Sequence, residues 1–366
     1  MGSTPDDCRG GRGLTQRVVR LLLLVGIAEA ACATPTPQAR AQAYLAEGQA
    51  FIARGEMASA ASALRAALRL QPDLVQARSS LGQALYGMGD LDAAVEELRA
   101  TVRRRPDAVS ARLTLAAALV AKQDWAAARV ELEQVLEERP DLLQAYYSLG
   151  VARYAQGDRV GAIDAYRRVL ARDPQHQDAR YNMALVLKLV HRDVEAASEF
   201  LTAAQAGHAQ AQYFAGTAYA EGFGVERDLV TAITWWFRAA EQGVTQAEEA
   251  LAQLRQLALG RSRRVSTDRQ AVEQAFRDYR AALWRDFPDL VSNGDDTVGG
   301  ALLRRGRARE AVPVLIREAS ALSEPAERLL ETLYDQGVQG LLPAHDAQIR
   351  GYFGRAAAEG LRTPTR

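Results

Sequence analysis

The sequence predicts an all-α protein built from repeated helix pairs, an α-α solenoid. Two observations support this fold class: the apolar residues are mainly alanine and leucine, and proline recurs at a fixed interval. Hydrophobic residues make up 48% of the chain and aromatic residues 7%, a composition that favours helix over strand. The length of 366 residues also suits a solenoid, because this architecture grows by adding repeats.

The proline interval defines the repeat. Four prolines are evenly spaced along the chain, at Pro72, Pro106, Pro140 and Pro174. Between them, large apolar residues recur one helical turn apart, as expected for two amphipathic helices that pack together. Pairs such as Gly89-Asp90 mark the turn within a repeat, because glycine accepts the left-handed C-cap and the acid caps the next helix. Proline then ends the second helix.

The pattern resembles the tetratricopeptide (TPR) repeat, whose period of about 34 residues equals the interval between these prolines. The second repeat carries Leu81, Gly82, Leu85, Ala94, Leu98 and Pro106 at signature positions of that family. Five repeats in the same frame span 41–208, with His208 standing where proline would end the fifth. The resemblance implies a right-handed superhelix in which the first helix of each repeat, helix A, lines a concave groove and helix B lies outside.

Beyond His208 the pattern changes. Residues 209–260 resemble a Sel-like repeat, a longer relative of TPR with a glycine-rich loop at 222–224, followed by one further helix. Residues 261–296 are predicted to be a linker that holds a helix from Arg269 to Trp284. Residues 297–366 resemble a degenerate TPR/Sel-like pair, whose loop after Tyr334 is predicted to hold a two-residue insertion.

The N-terminus resembles an export signal, predicted over 1–33 and followed by a Pro/Thr tether over 34–40. Basic residues precede a short apolar run at 21–28, and small residues follow it, as in a secretory signal peptide. Cleavage after Ala33 would release a soluble periplasmic protein, whereas cleavage before Cys32 would leave a lipidated N-terminus. Glu29 departs from the lipoprotein pattern, and a buried N-terminal helix is the third interpretation.

Catalytic and metal-binding motifs are not recognisable in the sequence. No nucleophile elbow or phosphate-binding loop is present, the two cysteines form no CxxC pair, and the four histidines are scattered. We therefore expect a non-enzyme with no cofactor and no metal. The formal net charge is zero, so the basic excess that nucleic-acid binding favours is missing, and we expect no nucleic-acid partner.

The TPR resemblance also implies where a partner would bind. Groove-facing positions of the family, carried onto this chain, are Gln83, Tyr86, Gln144, Tyr147, Tyr154, Tyr181, Asn182 and Lys188. Tyrosine offers a large contact area with a hydrogen-bonding tip, which suits a bound peptide or helix. The alternative for Tyr154 and Tyr181 is that they pack between repeats.

Three functions fit the sequence. The first is a protein-interaction scaffold of the bacterial cell envelope that supports a secretion, exopolysaccharide, pilus or cell-wall complex, in the periplasm or anchored to the outer membrane. The second is a polysaccharide-contacting module of an export system, which burial of Trp125, Trp235 and Trp236 would weaken. The third is a cytoplasmic regulatory TPR scaffold. Contact with a membrane is expected only through a lipid anchor at Cys32.

Overall fold

The computed structural model describes residues 36–261, 266–290, 296–339 and 341–361. The predicted signal peptide, Cys32 and the first residues of the tether lie outside these ranges. The described residues are helical, with no strand and one isolated bridge between Val338 and Leu342, so the predicted all-α fold is confirmed.

Eighteen α-helices and one 3-10 turn are described. The TPR-like part holds α1 Pro37–Ala53, α2 Met57–Leu70, α3 Val75–Gly87, α4 Leu91–Arg104, α5 Val109–Ala121, α6 Trp125–Glu138, α7 Leu143–Ala155, α8 Arg159–Arg172, α9 Gln177–Leu189 and α10 Asp193–Gln205. The remainder holds α11 Ala209–Glu221, α12 Leu229–Glu241, α13 Thr245–Ala258, α14 Ser266–Leu283, the 3-10 turn Trp284–Asp286, α15 Val298–Arg304, α16 Ala308–Ser320, α17 Glu324–Gln336 and α18 Ala347–Ala358. The chain divides into two compact units after Ala152, within α7.

In the first unit, small residues on helix A let helix B approach closely. A Cβ atom added at Gly82 of α3 would lie 2.5 Å from Cγ of Leu98 on α4, and Gly48 of α1 meets Leu64 of α2 in the same way. Both leucines are fully buried. Because no side chain fits at this crossing without displacing the leucine, glycine sets the spacing of the helix pair.

The turns within the repeats have the predicted caps, with one exception. Gly55 and Gly89 adopt left-handed φ angles of 79°, and Gln123 takes the same conformation at 61° in the third repeat. The Asp90 carboxylate then accepts the N–H of Ala93 and caps α4. Asp124 and Asp158 cap α6 and α8 likewise, whereas Glu56 makes no capping hydrogen bond to α2.

In the second unit, α11 and α12 pair around an aromatic core. The Trp236 ring of α12 fills the space beside Gly216 of α11, where an added Cβ would lie 2.5 Å from the ring. The Trp236 indole N–H donates to the Tyr213 carbonyl at 3.2 Å. The loop between the helices rests on α10, where a Cβ at Gly224 would overlap the Asp193 carbonyl. The tryptophan is therefore part of the core between helices.

The C-terminal loop closes in a related way. In the α11–α12 loop, the Asp228 N–H returns to the Tyr219 carbonyl at 2.9 Å. In the α17–α18 loop, the His345 N–H returns to the Tyr334 carbonyl at 2.7 Å, after two more residues. The inserted residues belong to the turn around the Val338–Leu342 bridge, so the same return hydrogen bond survives the insertion.

Among the described helices, none has the length and hydropathy required to cross a membrane.

Candidate functional site

In the first unit, the predicted site residues occupy the helix faces that do not pack against the core. Gln83 and Tyr86 lie one turn apart on α3 and are exposed, Tyr86 to 37%. Leu85, on the opposite face, is buried. On α7, Gln144 is exposed and Tyr147 is half-buried. Amide and phenol groups are thus accessible on both helices.

The accessible face of α3 and α5 carries no charged side chain at the predicted groove positions. We call this surface the A-helix face; it consists of Gln76, Ser79, Ser80, Gln83 and Tyr86 on α3 and Ser110, Leu113, Thr114, Ala117 and Val120 on α5, all exposed or half-buried. Charged side chains lie instead on the B helix α4, where Asp92 pairs with Lys122 at the end of α5 and Arg99 pairs with Asp124 at the start of α6. The groove positions of α3 and α5 therefore differ from α4 in carrying no charge.

In the second unit, the two predicted tyrosines differ in their surroundings. Tyr154 is 41% exposed. Tyr181 stacks on His208, with ring centroids 4.5 Å apart, and lies 5.9 Å from the Phe214 ring. Burial raises the pKa of the Tyr181 phenol, and the nearby Tyr154 adds to the rise. Tyr181 thus packs between successive repeats, the alternative that the sequence left open.

Lys188 is held by aromatic rings of its own chain. Its Nζ lies 5.3 Å from the Phe214 centroid and 5.1 Å from the Phe223 centroid. Both rings present their π systems to the ammonium group, a favourable cation–π arrangement. Asn182, earlier on α9, is half-buried. The sequence did not predict this contact between Lys188 and the two rings, because Phe223 comes from the glycine-rich loop at 222–224 and not from the TPR pattern.

The tryptophans do not form exposed platforms. Trp235 and Trp236 are buried, and Trp125 and Trp284 are half-buried. A sugar ring stacks on an accessible aromatic face, so this burial weakens the polysaccharide interpretation.

A groove in the second unit was not predicted. It encloses about 690 Å³ between α12, α13, α16 and α18. Its walls come from helices far apart in the chain, outside the regular repeat frame. The sequence signals for this groove were Pro313 and Gly351, because proline and glycine are unusual inside helices.

Among the residues that the structure describes, no group of three or more His, Cys, Asp or Glu side chains is placed to hold a metal ion.

The helix pairs, their glycine crossings and their turns agree with comparison to known families. The tetratricopeptide repeat family matches four overlapping windows, 45–109, 79–142, 113–177 and 147–211. Residues 45–211 belong to the tetratricopeptide repeat family. The match ends near the start of α11, so the Sel-like character of later residues remains a prediction from the sequence. TPR units are typically non-catalytic scaffolds for protein partners.

Solved structures similar to the chain include two forms of MamA. MamA from Desulfovibrio magneticus RS-1 is 23% identical, with a TM-score of 0.45 over 47% of this chain and 97% of that one. The structure described as MamA AMB-1 is 25% identical, with a TM-score of 0.42 over 45% of this chain and 90% of that one. No curated protein matches the chain in sequence.

Proposed function

We propose that this protein is a non-catalytic protein-interaction scaffold of the bacterial cell envelope. It would support the assembly or regulation of a multi-protein complex of secretion, exopolysaccharide, pilus or cell-wall machinery. The observation that carries the proposal is the charge-poor A-helix face, with Tyr86 exposed at its end.

The chemistry of the A-helix face favours a protein ligand. Charged groups are costly to desolvate and are depleted at the centre of protein interfaces, where tyrosine is enriched. Gln83 and Tyr86 offer hydrogen-bonding groups, and Leu113 and Val120 of α5 offer apolar contact. Binding of a peptide or helix there would therefore require little desolvation of charged side chains on this surface.

The envelope location is proposed from the sequence of the segment 1–33. A basic segment, a short apolar run and small residues fit a type I signal ending at Ala33 or a lipoprotein signal ending before Cys32. We propose export by one of these two routes, with lipid at Cys32 as the only membrane contact.

Photo-crosslinking in the native host tests the scaffold function. A photoreactive amino acid at Tyr86 samples the A-helix face, and one at Val130 of α6, which is 47% exposed, is the matched control on a B helix. A discrete envelope protein captured from position 86 and not from 130 is expected. Equal adducts at both positions, or none from a folded chain, would remove the A-helix face as the binding surface.

Intact-mass measurement of the native protein tests the location separately. A start at Thr34, or a lipid-modified Cys32, is expected. An unprocessed N-terminus would replace the envelope proposal with a cytoplasmic scaffold and leave the crosslinking result untouched.

A further inference from the structure

The groove of about 690 Å³ in the second unit lies outside the TPR repeats and has four helical walls. Its lining residues recur at helical spacing, so each helix turns one continuous stripe towards the same space. On α16 the stripe is Pro313, Ile316, Arg317 and Ser320, and on α18 it is Ala347, Gly351, Arg355 and Ala358. The buried face of α18 lies opposite, at Tyr352 and Phe353.

Ion pairs hold the walls at fixed positions. Arg255 of α13 is only 6% exposed and makes a bidentate pair with Glu359, at 2.6 and 2.8 Å, at the end of α18. The Gln256 amide adds a hydrogen bond to the Glu359 carbonyl at 2.8 Å. On another side, Arg317 of α16 pairs with Glu241 at the end of α12. The groove is therefore preorganised, which lowers the entropic cost of binding.

Gly351 and Pro313 are exposed residues of the groove walls that lie inside helices, where both residue types are unfavourable. Gly351 lies inside α18, where glycine costs about 1 kcal/mol relative to alanine. A Cβ added there would meet only Arg355 Nη1, at 3.7 Å. Pro313 lies inside α16 and has no N–H, so the Arg309 carbonyl receives no helical hydrogen bond from it. On α18, Gly351 and Ala347 leave a stretch with little or no side chain that another helix can approach closely.

The charged residues around the groove differ in whether they have an ion-pair partner. Glu241 and Glu359 are neutralised by Arg317 and Arg255. Glu248 and Glu249 of α13 are exposed and have no ion-pair partner within the described ranges. Arg355, on the α18 wall, also lacks a carboxylate partner there. A ligand that fits this pattern brings positive charge to Glu248 and Glu249 on α13 and aliphatic surface to Ala347 and Gly351 on α18.

We propose that this groove binds an amphipathic α-helix of a partner protein, with small aliphatic residues against Gly351 and lysine or arginine beside Glu248 and Glu249. Helix binding in such grooves uses anchors at i, i+3, i+4 and i+7, and a volume of about 690 Å³ accommodates several such side chains. The groove lies in the second unit and the A-helix face in the first, so the chain would offer two separate binding surfaces.

Synthetic helices test the proposal with the full-length chain. One N- and C-terminally blocked peptide carries Ala and Leu on one face and Lys on the flank, and its twin carries Glu at the Lys positions. Fluorescence anisotropy is expected to show at least about tenfold tighter binding of the Lys peptide. Glu248→Lys combined with Glu249→Lys should reverse this preference.

Gly351→Leu should abolish binding by filling the groove. Gly354→Leu is the matched control. Gly354 is exposed one turn further along α18, does not line the groove and has no atom within 4 Å of an added Cβ. Leucine is a better helix former than glycine, so both variants should fold, which circular dichroism checks.

Equal affinity for both peptides, no binding of either, or equal loss in both glycine variants would overturn the proposal. Self-association that Gly351→Leu alone abolishes, without peptide binding, would also overturn it and assign the groove to a second copy. Failure here is distinguishable from failure of the scaffold function, because crosslinking at Tyr86 reports on the other unit.

Discussion

Arg112 on α5 and Glu131 on α6 form an ion pair, with 2.7 Å between Nη1 and Oε2. The same guanidinium donates from Nη2 to the Pro106 carbonyl at 2.8 Å. One side chain, 7% exposed, thus ties both helices of the third repeat to the turn that precedes it. The arrangement recurs with Arg78 and Glu97 in the second repeat and with Arg180 and Glu199 in the fifth.

The other two repeats replace both partners together. Tyr44 and Ala63 stand at these positions in the first repeat, and Tyr146 and Ala165 stand there in the fourth. Tyr44 packs against the core of the first unit. The position on helix A therefore carries either an arginine with its glutamate or a tyrosine with an alanine, because each combination fills the space and leaves no buried charge unpaired.

The paired replacement predicts the stability of variants at 112 and 131. Arg112→Ala should lower the free energy of unfolding by about 2 to 3 kcal/mol, since the Glu131 carboxylate would lose its charge partner in a site of low exposure. The double variant Arg112→Tyr with Glu131→Ala should lose about 1 kcal/mol or less, because it reproduces the combination of the first repeat. Urea denaturation of both variants measures the difference. A double variant as unstable as Arg112→Ala would show that the two combinations are not interchangeable.

The sequence predicted the helix pairs, because periodic apolar residues and glycine at the crossings are local signals. It did not predict the ion pair between Arg112 and Glu131, since arginine on a helix ordinarily lies on a solvated surface. The arginine also does not recur in every repeat, because Tyr146 replaces it in the fourth. For the site, Tyr86 is exposed, whereas Tyr181 packs against His208. The difference in exposure between the two tyrosines depends on the neighbouring repeat, and the residue pattern of a single helix carries no information about it.

The two tyrosines should respond differently to truncation. Tyr181→Ala should destabilise the protein by about 2 to 4 kcal/mol, because it removes a half-buried ring that contacts His208, Phe200 and Phe214. Tyr86→Ala should change stability by less than about 0.5 kcal/mol and yet reduce crosslinking from a neighbouring position such as Gln83. Thermal unfolding and crosslinking yield together separate the two effects. A stable Tyr181→Ala protein would contradict the packing role.

Replacing a glycine at a helix crossing should affect stability differently from replacing a glycine on an exposed helix face. Gly82→Ala places a methyl group 2.5 Å from Leu98 Cγ and should destabilise the protein by about 1 to 3 kcal/mol through overpacking. Gly354→Ala meets no atom within 4 Å and should stabilise α18 by about 0.5 to 1 kcal/mol. Denaturation midpoints measure both changes. Shortening the opposing side chain with Leu98→Val should recover part of the Gly82→Ala loss, and no recovery would argue against a steric cause.

Glu318 on α16 is a buried carboxylate, 2% exposed. It accepts the N–H groups of Val298 at 2.7 Å and Gly299 at 3.1 Å, at the start of α15. Burial raises its pKa to about 7, although the two hydrogen bonds and the charge of Arg280 act in the opposite direction. Between the unfolded pKa of 4.5 and about 7, the folded state therefore binds more protons than the unfolded state.

Stability should fall as pH rises through that interval, because the excess protons of the folded state are released. From about pH 5 to about pH 8 the Glu318 contribution should decrease by roughly 2 to 3 kcal/mol. Glu318→Gln removes the titrating group, so the melting temperature of this variant should rise relative to that of the parent chain as pH increases. Glu310→Gln is the control on the same helix, since Glu310 is exposed and its hydrogen bond with Arg307 lowers its pKa. If the melting temperatures of Glu318→Gln and the parent chain changed equally with pH across this range, the Glu318 carboxylate would ionise normally in the fold.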